Sequence, residues 1–306
     1  MRGGAAEAVR LARIAATEFT GRSQLASHPD LRVYLGDLTR PYGVALREDL
    51  LERGEGHAYG EMAAALIRDL VPPDEAIDLL VLAYDVPDVQ PGRQTSLYLS
   101  HVCPGRPLAF AICDQGIAAP YTAVRLATEY LRSGDYKRAL VIVVEQATLH
   151  YELVEEPDRT SPVVLPNRST AVALLCDGLG APGPSSTRER TEVGPDQVRQ
   201  VLSAELAELS ALVGRRKHVL VLGSGLSKAD VDGLDHELEL ELELDLIVTA
   251  SADQPCTGAW FELARGYPQW REQGSFITLA DYDRHLQTLC FCAIAQPRPE
   301  DGAESV

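Results

Sequence analysis

The sequence predicts an α/β fold made of two similar halves, and three observations lead there. Short apolar runs of strand length alternate with amphipathic stretches of helical spacing from His57 to Ile294. A Gly-, Pro- and Ser-rich segment, residues 178–195, interrupts the alternation with no large apolar residue beyond Leu179 and Val193, and so reads as a linker. Cys113-Asp114-Gln115-Gly116-Ile117 before it and Ala252-Asp253-Gln254-Pro255-Cys256 after it each follow a strand pattern and open a helical one, the mark of an internal duplication. The expected organisation is an N-terminal half over 1–177, the linker, and a C-terminal half over 196–306, packed against one another.

Element by element, residues 1–55 yield one strand, Arg10 to Ala16. Tyr59, Met62, Leu66 and Leu70 fall at helical spacing before the Pro72-Pro73 stop, and Ile77 to Tyr84 is a nearly continuous apolar run of the buried-strand type. A helix follows over Thr95 to Val102, then a strand over Leu108 to Cys113. The next helix has Pro120 in its first turn and Ser133-Gly134 at its end. Arg138 to Val144, rich in β-branched residues, and Thr170 to Cys176 read as strands. Beyond the linker come a helix (Asp196 to Val213), a strand (His218 to Leu222), a short helix (Lys228 to Leu234) and a strand (Leu242 to Ala250). A helix from Cys256 to Gly266 and two strands, Phe276 to Leu279 and Leu286 to Ile294, complete the order. Such alternation argues for parallel pairing under covering helices. The period-two run from Glu237 to Asp245 puts Leu on one face of a strand and carboxylates on the other, a charge-guarded edge rather than a metal site.

Composition narrows the function. Of 306 residues 45% are hydrophobic and 24% charged, as in a folded globular protein. The longest aliphatic run, Ala139 to Val144, is far below a membrane span, and charges at Arg2, Glu7, Arg10 and Arg13 do not suit a signal peptide, so a cytoplasmic protein is expected. A net charge of −17 opposes a phosphate backbone and argues against nucleic acid as a partner. The six cysteines form no CxxC pair, so neither a zinc site nor a disulfide framework is expected.

The stretch from Tyr59 to Thr148, with AIDLLVLAYDVPD and then RQTSLYLSHVCPGRPLAFAICDQGIAAPYTAVRLATEYLRSGDYKRALVIVVEQAT, resembles the first half of the thiolase-fold ketosynthases, in particular the type III β-ketoacyl synthases that start fatty-acid and polyketide chains. A fainter likeness runs from Asn167 to Asp177 and into the second half. The resemblance implies a five-layered architecture of two pseudo-dyad-related halves with mixed sheets, a dimer, and no cofactor beyond an acyl-CoA or acyl-carrier-protein thioester as substrate. It also implies a Cys-His-Asn constellation in which a thiolate at a buried helix N-terminus takes the acyl group. This sequence departs from that pattern at all three positions. The nucleophile falls at Gly116 or Ile117, the histidine near Ser224, and the asparagine at Pro255 or Cys256, while the sole asparagine, Asn167, lies elsewhere in the chain. Ordinary decarboxylative condensation is therefore not expected.

What remains is a set of candidates. Cys256 is the duplicate of Ile117 and stands at an expected helix start, where the helix end favours the thiolate and burial opposes it. Cys113 and Ser224 are the other catalytic candidates. Asp114, Gln115, Gly116, Ile117, Asp253 and Gln254 would line the pocket, although helix capping accounts equally for both aspartates. Arg215-Arg216-Lys217-His218, the one basic island, suits the phosphate of coenzyme A or of a carrier-protein arm, or is simply a solubilising turn. His101, His150, Cys290 and Cys292 read as structural. Two functions follow: a divergent acyltransferase handling acyl thioesters in fatty-acid, polyketide or other specialised biosynthesis, or an inactive partner that pairs with an active homologue. The chain's partner would accordingly be a second copy or that homologue.

Overall fold

A computed structural model describes residues 10–23, 25–26, 28–153, 164–178, 186–213, 217–233 and 244–294. Its strands are β1 (Arg10–Phe19), β2 (Leu79–Ala83), β3 (Leu108–Ile112), β4 (Arg138–Glu145), β5 (Ser169–Asp177), β6 (Ser186–Arg190), β7 (His218–Leu222), β8 (Leu244–Thr249), β9 (Phe276–Asp283) and β10 (Thr288–Ile294). Its helices are α1 (Pro29–Thr39), α2 (Glu48–Arg53), α3 (Tyr59–Leu70), α4 (Thr95–Val102), α5 (Ala119–Arg132), α6 (Val198–Val213), α7 (Lys228–Val231) and α8 (Gly258–Glu272).

Two five-stranded sheets have the orders β1-β5-β4-β2-β3 and β6-β10-β9-β7-β8, so every strand of one sheet has its counterpart in the other. Each sheet is mixed: β2 lies parallel to β3 and β4, and β7 to β8 and β9, while β5 and β10 run antiparallel to both of their neighbours. The parallel pairing expected from the alternation thus holds for three strands of each sheet.

Side-chain alternation on the central strands builds the layers. On β2, Leu79, Val81 and Ala83 join a central core, whereas Leu80 and Leu82 face the outer helices α3 and α4. The central core also takes Tyr121 and Leu131 of α5, Trp260 and Leu263 of α8, and Ile277 and Leu279 of β9, so both halves bury one shared surface. The second sheet turns Leu220, Leu222 and Phe291 toward Val198, Leu202 and Leu206 of α6. Helix, sheet, helix pair, sheet and helix give the five layers. At the centre Tyr121 and Trp260 meet edge to face, their ring centroids 5.1 Å apart.

Three segments differ from the sequence reading. Residues 186–190 of the expected linker are strand β6, paired with β10 from Arg190–Leu289 to Ser186–Ala293. Its polar sequence hides it, because Arg188 reaches Glu205 (3.0 Å) and Glu208 (2.7 Å) of α6 where an apolar residue would be the usual signal. Helix α8 continues past Gly266 and through Pro268 to Glu272, since Tyr267 and Trp270 are both buried and the Tyr267 hydroxyl donates to the Leu11 carbonyl (2.5 Å). The N-terminal region contains α1 and α2, whose Leu31, Leu35 and Leu51 form a small cluster of their own. Of the acidic run, Glu237 to Glu243 lie outside the described residues, and Leu244 onward forms β8.

Because Trp260 fills the middle layer between the halves, Trp260→Ala should cost about 3–5 kcal/mol. Denaturant unfolding should show one transition shifted as a whole. Two separate transitions would mean that the halves do not share a core.

Candidate functional site

The two duplicated junctions meet in the middle layer. In the first, β3 runs into Cys113 and Asp114, whose φ of +58° turns the chain sharply, and a 3-10 turn over Gly116–Ala118 opens α5. In the second, Gln254, Pro255 and Cys256 lead into α8. A helix start leaves backbone N–H groups unpaired, and here both starts lie under the opposite half.

Both are closed by carboxylates from the opposite half. Glu145, the last residue of β4, accepts the Cys256 N–H (2.9 Å) on Oε1 and the Thr257 N–H (3.0 Å), Thr257 hydroxyl (2.5 Å) and Gln254 Nε2 (2.9 Å) on Oε2. Asp283, the last residue of β9, accepts the Ile117 N–H on Oδ2 (3.3 Å), while its Oδ1 takes the N–H groups of His285 and Leu286 (both 2.9 Å). Glu145 and Asp283 hold equivalent places at the ends of eight-residue strands, so each half holds the turn that leads into the long helix of the other. Asp85, just after β2, adds a bond from the Gly116 N–H (3.1 Å).

These caps fill the junction. A Cβ at Gly116 would overlap Asp283 Oδ2, so of the two positions that the resemblance offers for a nucleophile, Gly116 has room only for glycine, and Ile117 holds a buried apolar side chain. Where it assigns a histidine, Gly223-Ser224-Gly225 closes over Asp281: the Gly225 N–H donates to Oδ1 (2.9 Å), the Ser224 N–H also donates, and a Cβ at Gly223 would overlap the carboxyl. Burial pushes Asp281 up to about 7 against these backbone bonds, and burial raises Glu145 as well. Near them the Tyr121 hydroxyl and Gln254 Oε1 are buried with no hydrogen-bond partner.

Cys256 does stand at the start of α8, 3% exposed. Of the two opposing effects burial prevails here: the N–H groups before the helix serve Glu145, while burial, then the charges of Glu145, Asp85 and Asp281, hold the thiol well above its ordinary range, and the Asp85 backbone N–H acts the other way. Cys113 is the half-exposed cysteine, its thiol donating to Asp114 Oδ2 (2.9 Å), an interaction that raises its pKa.

The other candidates divide. Gln115 accepts the Thr122 hydroxyl (2.7 Å), and Ile117 is buried beside Asp283. Asp114 and Asp253 are exposed and cap neither long helix; Asp253 instead holds Asn167, whose Nδ2 donates at 3.2 Å, so the sole asparagine braces the second junction from outside. Lys217 is exposed, Arg215 and Arg216 lie outside the described residues, and His218 leaves the basic island: it is buried on Thr278 (2.9 Å), and burial lowers its pKa to about 4. His101 and His150 bond the carbonyls of Leu97 and Glu55, and Cys290 and Cys292 are buried on β10. The sequence reading missed Asp85, Glu145, Asp281 and Asp283, whose one signal was an acid at or near the end of an otherwise apolar strand.

No protein-family model matches the sequence, and a search of curated proteins finds no match. Solved structures do match. The chain is similar to the 3-oxoacyl-(acyl carrier protein) synthase III of Pseudomonas aeruginosa, with TM-score 0.61 and 14% identity over 95% of this chain and 99% of that one. It is similar to the tetronic acid condensing enzyme AbyA1, with TM-score 0.60 and 16% identity over 93% and 99%. The priming β-ketosynthase of the R1128 polyketide pathway gives TM-score 0.60 and 14% identity over 98% and 99%. The chain therefore has the α/β thiolase-like fold of these structures.

Two outcomes follow from the junction. The folded Asp281 keeps its proton to about pH 7, whereas the unfolded residue loses it near 4, so stability should fall as pH rises through that window, by on the order of 4 kcal/mol. Asp281→Asn should flatten the difference in urea-unfolding free energy between pH 4 and 7.5. A small alkylating reagent at pH 7.5 should modify Cys113 first and leave Cys256 untouched until the protein unfolds, as read by peptide mapping.

Proposed function

We propose that this chain is a ketosynthase III-like protein of acyl-thioester metabolism that forms no acyl-thiolate at its duplicated junctions and serves as the catalytically silent partner of an active homologue. The observation that carries this reading is the Asp283 carboxyl group, which lies against Gly116 and accepts the Ile117 N–H at the two positions where the resemblance places a nucleophile, neither of which carries one. The protonated, buried Cys256 supplies no substitute. A partner role is supported by β3, which pairs only with β2 among the described strands and so presents a free edge. Beside it Leu108 is 47% exposed, and Leu97 of α4 is 54% exposed. An apolar strip along an unpaired strand suits another chain of the same fold.

Intact-mass measurement after incubation with acetyl-CoA, malonyl-CoA and hexanoyl-CoA should show no covalent adduct. A stoichiometric acyl adduct mapping to Cys256 or Cys113 would restore the acyltransferase reading. Co-expression with a ketosynthase III homologue from the same source should give a complex on size exclusion that Leu108→Asp weakens.

A further inference from the structure

Away from the junctions, a cleft of about 260 Å³ opens between α1 and the loop that leads into α4. Its walls are Leu25, Leu31 and Tyr34, with Asp30 on one side and Gln90 and Arg93 on the other. The Tyr34 ring is held in place by Gly92, where a Cβ would come within 3.1 Å of Cε2.

The polar groups of this cleft are unmatched in a specific way. The Arg93 guanidinium is exposed and makes no hydrogen bond or ion pair among the described residues. Asp30 is 89% exposed, and its nearest cationic candidate is His28 Nδ1 at 3.7 Å. That nitrogen also accepts the Asp30 backbone N–H (3.3 Å), and no lysine or arginine among the described residues pairs with the Asp30 carboxylate. Gln90 donates from Nε2 to the Leu25 carbonyl (3.2 Å), which fixes the amide and leaves Oε1 buried without a donor. Among the described residues, a guanidinium without a partner and a carboxylate whose one neighbouring nitrogen is that of His28 therefore stand around a small apolar wall.

We propose that this cleft binds a small zwitterion, an α-amino acid with an apolar side chain. Arg93 takes the carboxylate through its paired N–H donors. Asp30 takes the ammonium, and the side chain packs on Tyr34, Leu31 and Leu25. A simple anion would leave Asp30 facing it unpaired, and a simple amine would do the same to Arg93. The size lies at the small end for ligand pockets and suits a single amino acid rather than a nucleotide-bearing thioester.

Isothermal titration of the full chain with L-leucine tests this, with 4-methylpentanoate lacking the amine, isoamylamine lacking the carboxylate, and inorganic phosphate as comparison probes. L-leucine should bind saturably, and each comparison probe at least about ten-fold more weakly. Arg93→Gln should weaken L-leucine by about ten-fold or more and Asp30→Asn by several-fold, with melting curves unchanged because both residues are exposed. Absence of saturable L-leucine binding would overturn the proposal. So would equal binding of the acid or the amine, binding of phosphate in its place, or wild-type affinity in both variants.

Discussion

The structure depends on an exchange of carboxylates between its halves. Glu145 leaves one sheet to cap α8, and Asp283 leaves the other to meet the first turn before α5. A buried carboxylate is costly unless its lone pairs are filled, and Glu145 fills them with two backbone N–H groups, a hydroxyl and an amide. The helix starts gain as much, since their first N–H groups lie in the middle layer beyond the reach of water. Each half takes part of what its junction needs from the other, Asp85 supplying the Gly116 N–H from within the first half, so the duplication is a mutual dependence as well as a symmetry. The shared core around Tyr121 and Trp260 supplies the apolar counterpart of the same dependence.

That exchange decides the chemistry as well. A thiolate at a helix start owes its low pKa to the very N–H groups and dipole that a carboxylate competes for. Once Glu145 has taken the Cys256 and Thr257 N–H groups, its negative charge stands beside the sulfur, and burial and charge act in the same direction. The first junction reaches the same state by a different route, with glycine in place of a side chain and Asp283 in the space. The polar ends of the central strands thus fix the fold and quench the thiol together.

Much of this was legible in the sequence where periodicity carries it. The runs Arg138 to Val144 and His218 to Leu222 are apolar at every position but their first because both faces of the central strands are covered, and Thr95 to Val102 was placed without error. The matched junctions were visible because strand and helix patterns flank the same short motif. Periodicity failed where polar groups satisfy one another, as in β6, whose arginines point at glutamates of α6. It failed again for α8, where Gly266 and Pro268 signal a stop that the burial of Tyr267 and Trp270 overrides. The site was read less well. Cys256 was placed at the right helix start, but the sign of its pKa shift depends on Glu145, a residue 111 positions away that no local pattern connects to it.

The glycines of the junction show why such a site is hard to reverse. Restoring a side chain at Gly116 requires Asp283 to leave, yet Asp283 also holds the N–H groups of His285 and Leu286 in the turn between β9 and β10. A histidine in the Gly223-Ser224-Gly225 turn would collide with Asp281 at its first position and with the Tyr282 carbonyl at its third. A side chain added at Gly116, Gly223 or Gly225 therefore meets a clash before it gains any chemistry, and removing the clashing carboxylate first strips a turn of its partner. The carboxylates and glycines hold one another in place, so the arrangement persists on stability alone.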